Sequence, residues 1–198
     1  MGKYMMVIDL HKCVGCDACV TSCKQEHGTP PGITRSKVLR KEEGVYPNVV
    51  RTSLPMLCMQ CANPPCVPVC PTGATYVDED GIVMVNKDMC IGCRACVTAC
   101  PYGARYTRSD AEGYFGPVLT PYEQVMQDNF PVGVVDKCDF CKSTGRLERG
   151  EEPACVQSCI TQCRYFGTRE EMMELVSEQR GFQLRGELGT DPQVYYIR

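Results

Sequence analysis

Of this 198-residue sequence, the side chains best suited to chemistry are its seventeen cysteines, sixteen of which fall into four groups of four. The first group, CVGCDACVTSC, supplies Cys13, Cys16, Cys19 and Cys23, and the second, CMQCANPPCVPVC, supplies Cys58, Cys61, Cys66 and Cys70. The third, CIGCRACVTAC, supplies Cys90, Cys93, Cys96 and Cys100, while the fourth is opened out, with Cys138 and Cys141 well ahead of Cys155 and Cys159. An odd total and neighbours two or three residues apart argue against a disulfide framework, because strain-free bridges are hard to close at that spacing. Zinc is usually held by two separated C-x-x-C pairs. Here three groups crowd three thiols into nine residues or fewer, which suits an iron-sulfur cube that takes one thiolate on each of four irons. The fourth group has the least diagnostic spacing, and one zinc site among the cubes stays open there.

A C-x-x-C-x-x-C loop wraps three corners of one cube, and the fourth cysteine of the run reaches the neighbouring cube. Groups must therefore work in pairs, and sixteen thiolates suffice for four 4Fe-4S clusters. The first and third groups match at eight of eleven positions, an internal repeat. A second repeat aligns CPTGATY from Cys70, CPYGARY from Cys100 and CITQCRY from Cys159, and sets Cys163 where the other copies carry Ala74 and Ala104. Cys163 is accordingly read as a small packed residue. Pro71 and Pro101 fix the turn after two of the ligands, Gly73 and Gly103 let the backbone turn tightly, and Lys24 and Ile160 stand where the other two groups lack proline. His11 and His27 are read as structural or surface residues. Lys12, Lys24, Arg94 and Lys137 adjoin ligands, either as charges raising the potential of the nearest cube or as solvated surface charges.

These loops need short elements to hold them. Tyr4 to Asp9 suits a strand, Asp17 to Glu26 a short helix, and TYVDEDGIVMV a hairpin turning at Asp80 and Gly81. Thr168 to Arg180 reads as a helix opened by a Thr168/Glu171 capping box and stopped at Gly181, with an apolar stripe of Met172, Leu175 and Val176 for the protein's own surface. The cysteine-free stretch 107–135, rich in Gly and Pro, reads as a surface insertion and contact surface. The interior is expected to be cluster rather than hydrocarbon. A net charge of −3 with interleaved signs offers no stripe for nucleic acid. No apolar run is long enough to span a membrane, and the opening residues lack an apolar signal core, so the chain is expected neither to cross a membrane nor to export itself unaided.

The order of the four groups, with CMQCANPPCVPVCPTGA in the second, KCDFC opening the fourth and GTDPQVYYIR at the end, resembles the iron-sulfur subunits of molybdopterin oxidoreductases related to dimethyl sulfoxide reductase, especially those of polysulfide and thiosulfate reductases. The resemblance implies an α+β chain of two pseudo-symmetric ferredoxin-like modules, each with two 4Fe-4S clusters. The inner module, 58–107, would be inserted within an outer one made of 1–57 and 108–198. It implies one cluster on Cys13, Cys16, Cys19 and Cys159, and its neighbour on Cys23, Cys138, Cys141 and Cys155. A third would sit on Cys58, Cys61, Cys66 and Cys100, and a fourth on Cys70, Cys90, Cys93 and Cys96.

It also implies a non-catalytic electron relay. The partners would be a large subunit carrying bis-molybdopterin guanine dinucleotide and, in many members, a membrane quinol-oxidising anchor. Folded export on the partner's twin-arginine signal and residence in the cytoplasm both fit. Two other functions use the same cysteines: a free-standing soluble polyferredoxin, and the small subunit of a non-redox molybdoenzyme of the transhydroxylase kind.

With so few apolar residues per module, ligation must supply much of the folding free energy. Iron-free chain is expected to show no cooperative thermal transition in calorimetry, and a sharp transition would contradict that dependence.

Overall fold

The computed structural model describes residues 2–198 and is an α+β fold. In its first half the chain runs β1 (Tyr4–Asp9), α1 (Ala18–His27), β2 (Lys37–Val45), β3 (Asn48–Met56), β4 (Thr75–Val77), β5 (Val83–Val85) and α2 (Ala95–Ala99). It continues with β6 (Tyr106–Thr107), α3 (Pro121–Met126), β7 (Val135–Asp136), α4 (Ala154–Gln157), β8 (Arg164–Thr168), α5 (Arg169–Glu178), β9 (Phe182–Gln183) and β10 (Val194–Ile197). Among the described residues no helix is long and apolar enough to cross a membrane.

A four-stranded sheet ordered β8-β1-β10-β9 joins the chain's two ends. β1 runs parallel to β10, with Met6 opposite Val194 and Asp9 opposite Ile197, and antiparallel to β8, with Tyr4 opposite Thr168 and Ile8 opposite Arg164. Alternation along β1 sends Val7 to one face and Met6 and Ile8 to the other, and all three are fully buried. Val7 meets Val176 of α5 together with Ile197, with Met172 and Leu175 packed beside them. The apolar stripe of this helix thus covers the chain's own sheet. Met6 and Ile8 join Leu57, Met59, Phe140, Val194 and Tyr196 in a larger core that also takes in Cys19, Cys61, Cys138 and Cys155. The interior is therefore mixed, with a hydrocarbon core under one sheet face continuing into the cysteine loops.

α5 begins at the capping box, where Thr168 accepts the Glu171 backbone N–H and Glu171 accepts that of Thr168. It ends through Arg180, which turns left-handed at φ 51°, ahead of Gly181. Gly181 has a different reason to be glycine: a Cβ there would come within 3.1 Å of Val176 and 3.2 Å of Ile197. The β4–β5 hairpin forms with Thr75 opposite Val85, and Lys142 ties its turn to the fourth cysteine group through Asp78 and Asp80, each at 2.6 Å. The longest strands, β2 and β3, form an exposed hairpin that no alternating apolar pattern announces in KVLRKEEGV.

The stretch 107–135 carries α3 and is largely exposed, although Arg108, Phe130 and Val135 in it are buried. Its inner side is seated on the end of α1, where Tyr114 donates to the Thr29 carbonyl at 3.3 Å and Met126 lies so close to Gly28 that a Cβ would fall 2.4 Å from it. Phe115, Val118 and Val125 face outward and are about three-quarters exposed.

Gly73 and Gly103 turn left-handed after their cysteines, at φ 69° and 56°, with open space around each. Gln162 holds the same register after Cys159 at φ 50° and bears the strain that a Cβ brings to that region. Gln162→Gly is expected to stabilise the iron-loaded protein by about 1 kcal/mol, read as a raised thermal midpoint, whereas an unchanged or lower midpoint would show that Gln162 is held by contacts instead.

Candidate metal centres

The sixteen grouped cysteines converge on the ends of short helices and loops rather than on the sheet. Cys19 and Cys23 sit on α1, Cys96 on α2 and Cys155 on α4, while the rest lie in loops. In the first and third groups the helix is entered through a left-handed residue, Asp17 at φ 62° and Arg94 at φ 61°, so the repeat in sequence is also a repeat in backbone. Cys13, Cys16, Cys19 and Cys159 line one cavity together with Cys163 and Arg164. Burial pushes the Cys61 thiol up to about 12, and Cys58, Cys66 and Cys100 add negative charge around it. Burial likewise drives Cys138 upward, with Cys23, Cys155 and Cys141 beside it, and it raises Cys23 to about 12.

Protonated thiols at these positions would be inert, because the thiolate is the metal ligand. Two cysteines are already biased to the charged form. Burial opposes it at Cys70, but the Thr75 backbone N–H at 3.4 Å and the Thr72 hydroxyl at 3.7 Å outweigh it and bring the thiol down to about 7. Cys159 is lowered in the same way, against burial, by the Cys163 backbone N–H at 3.3 Å and the Cys163 thiol at 3.4 Å. Cys163 is buried, packed against Cys159 at the position of Ala74 and Ala104.

The cations that donate a hydrogen bond to thiols, Arg105 and Arg164, are not those adjoining ligands in sequence. Lys12 contacts the Tyr165 hydroxyl. Lys24 closes the loop after α1 through the carbonyls of Pro30 and Ile33. Lys137 is buried with its ammonium on the Cys138 carbonyl at 2.6 Å, near enough to Cys66 to favour its thiolate. Arg105 donates to Cys66 Sγ at 3.0 Å and to Thr75 at 3.1 Å, and Arg164 donates to Cys19 Sγ at 3.3 Å and to Ser36 at 3.1 Å. Both arginines stand five residues after a cysteine in the repeat CPYGARY/CITQCRY, so the alignment carried a signal for them.

His27 belongs with this set. It is buried, its Nε2 is 3.3 Å from Cys141 Sγ, and its Nδ1 is 3.0 Å from Arg35. Burial, then the Arg35 charge, hold it neutral, with the pKa lowered to about 3. Arg35 is gripped by Asp136 at 2.6 and 2.7 Å and by Asp139 at 3.2 Å.

Arg164 tests whether a metal cluster fits. Its Nε and Nη1 are buried without a hydrogen-bond partner among the described residues, on a side chain 3% exposed that lines the cavity of Cys13, Cys16, Cys19 and Cys159. A buried guanidinium needs an anion. Thiolates and sulfides in that cavity would supply one, so the donor set and the orphaned donors fit an iron-sulfur cube. The Tyr106 hydroxyl is likewise buried and unpartnered, raised by burial and by Cys138, Cys58, Cys100 and Cys23 around it.

The 4Fe-4S dicluster domain model matches residues 49–114 and 118–169. A selenate reductase subunit of Mesobacillus selenatarsenatis is 42% identical to this chain, over 98% of it and 72% of that protein. The arsenate respiratory reductase iron-sulfur subunit of Shewanella sp. is 38% identical over 98% of this chain and 95% of its own length, and a tetrathionate reductase subunit of Salmonella typhimurium is 38% identical over 98% and 72%. The chain belongs to the iron-sulfur subunit family of dimethyl sulfoxide reductase-type oxidoreductases. An iron-sulfur subunit of this family carries electrons, and the 4Fe-4S dicluster match covers the second, third and fourth cysteine groups. The resemblance seen in the cysteine order and the C-terminal GTDPQVYYIR thus extends over nearly the whole chain.

Arg35 is what lets Asp136 and Asp139 lie buried beside the Cys138–Cys141 loop. Arg35→Met leaves the buried Asp139 without its ion-pair partner and Asp136 with Lys87 alone at 3.6 Å, and is expected to cost about 3–5 kcal/mol, seen as a lower thermal midpoint of the iron-loaded protein. An unchanged midpoint would show that water reaches the carboxylates.

Proposed function

We propose that this subunit carries four 4Fe-4S clusters in two ferredoxin-like modules, 58–107 inserted between 1–57 and 108–198, and relays electrons between a molybdopterin catalytic subunit and a quinol-linked membrane or other redox partner. The ligand sets are Cys13, Cys16, Cys19 and Cys159; Cys23, Cys138, Cys141 and Cys155; Cys58, Cys61, Cys66 and Cys100; and Cys70, Cys90, Cys93 and Cys96. When bound, each cluster takes and gives one electron. The protein's own residues hold the thiolates, exclude water and place charge near them.

The observation carrying this reading is the mixing of thiols from distant groups around common centres: Cys159 with the first group in one cavity, Cys100 around Cys61, and Cys23 around Cys138. The same neighbourhoods support a linear order. Cys19 and Cys23 both feel Cys155, Tyr106 stands among Cys23, Cys138, Cys58 and Cys100, and Arg105 feels Cys58, Cys66 and Cys96. Cys16 and Cys93 are the exposed members, one in the first ligand set and one in the last. A relay ending at two exposed thiols suits a subunit placed between two redox partners, whereas a storage role in a non-redox molybdoenzyme has no use for a second exit.

Anaerobic co-purification with metal analysis tests this. About sixteen irons per chain, four per cube, with stoichiometric molybdenum and a co-eluting large subunit is the expected result. Sixteen irons without molybdenum or partner would turn the reading to a free polyferredoxin, and zinc with little iron would overturn the cluster assignment.

A further inference from the structure

We propose that Arg164 and Arg105 ease the reduction of the clusters whose thiols they donate to, those on Cys13, Cys16, Cys19 and Cys159 and on Cys58, Cys61, Cys66 and Cys100. The inference rests on the ligand sets proposed above. Each arginine stands five residues beyond the remote fourth ligand of its own cluster, Cys159 or Cys100, and turns back to the third cysteine of the same set, Cys19 or Cys66. They are 3% and 4% exposed, and among the described residues their guanidinium partners are thiols and hydroxyls, never a carboxylate. Their charge is therefore not cancelled locally, and in a buried site it acts on the nearest anion with little screening.

The other two ligand sets are built differently at the corresponding place. Beyond Cys70 the fifth residue is Thr75, an uncharged donor. Beyond Cys23 the fourth residue is His27, with its Nε2 3.3 Å from Cys141 Sγ, and its Arg35 is matched by Asp136 and Asp139. Asp139 also accepts the Cys141 backbone N–H at 3.0 Å, which puts a carboxylate beside that set. Reduction adds one electron to a cluster with no bond broken and no proton moved. A fixed positive charge stabilises the reduced form and a fixed negative charge disfavours it.

The test is a redox titration of the iron-loaded protein in its complex, followed by electron paramagnetic resonance. Arg164→Gln and Arg105→Gln are each expected to lower the reduced-to-oxidised ratio of the cluster whose thiol the arginine donates to about tenfold at fixed potential, about 59 mV for one electron. Asp139→Asn is expected to shift a third cluster the opposite way. Unmoved midpoints in iron-replete Gln variants would overturn the proposal. If the Gln variants lose iron, the Lys variants decide: iron retained with a midpoint close to the parent's supports tuning by charge, and iron lost again shows a merely structural role and overturns it. A parent protein with fewer than about sixteen irons would defeat the cluster assignment itself, a failure separable from that of the tuning.

Discussion

Thiolate charge is the constraint on which the rest of this structure depends. Sixteen grouped cysteines share a small chain, and most of those on helices lie buried, where an isolated thiolate is costly and burial alone drives the thiols toward protonation. Metal ligation resolves that cost, and the protein prepares for it with donors aimed at sulfur: backbone N–H groups at Cys70 and Cys159, guanidinium groups at Cys19 and Cys66, and an imidazole at Cys141. Such outer partners orient ligands and tune the metal as much as the ligands do.

The fold is arranged to keep those loops in register. One sheet gathers the two chain ends, with β1 between β8 and β10, so that the residues leading into Cys13 and those leaving Cys163 run side by side. α5 seals the far face, and the near face merges with the cysteine loops through Phe140, Tyr196 and Met59. Gln60 braces the junction, donating to the Cys138 carbonyl at 2.7 Å and accepting the Val83 backbone N–H at 2.8 Å. The hydrocarbon core therefore aligns two sets of loops that neither could align alone.

Local patterns were legible wherever a short stretch decides its own conformation. α1, the β4–β5 hairpin and the capping box of α5 lie where periodicity and turn chemistry put them, because each is stabilised by neighbours within a few residues, and β1 lies where its apolar run put it although its partners β8 and β10 are remote. The β2–β3 hairpin was not legible. Most of its length is exposed on both faces, so it carries no alternation of apolar and polar residues to read.

The sequence by itself determined the iron-sulfur chemistry, since C-x-x-C spacing constrains a loop whatever surrounds it, and it set Cys163 at the position of an alanine in the other repeats. It singled out Lys12, Lys24, Arg94 and Lys137 by adjacency. Adjacency along a chain says little about which way a long side chain turns, and Lys12 and Lys24 turn to a tyrosine and to loop carbonyls. Only the tertiary structure brought Arg105 to Cys66 across 39 residues and Arg164 to Cys19 across 145. Those contacts close when the repeats fold against distant cysteines, and a guanidinium buried there without a carboxylate would take its anion from the thiolates and sulfides of a bound cluster.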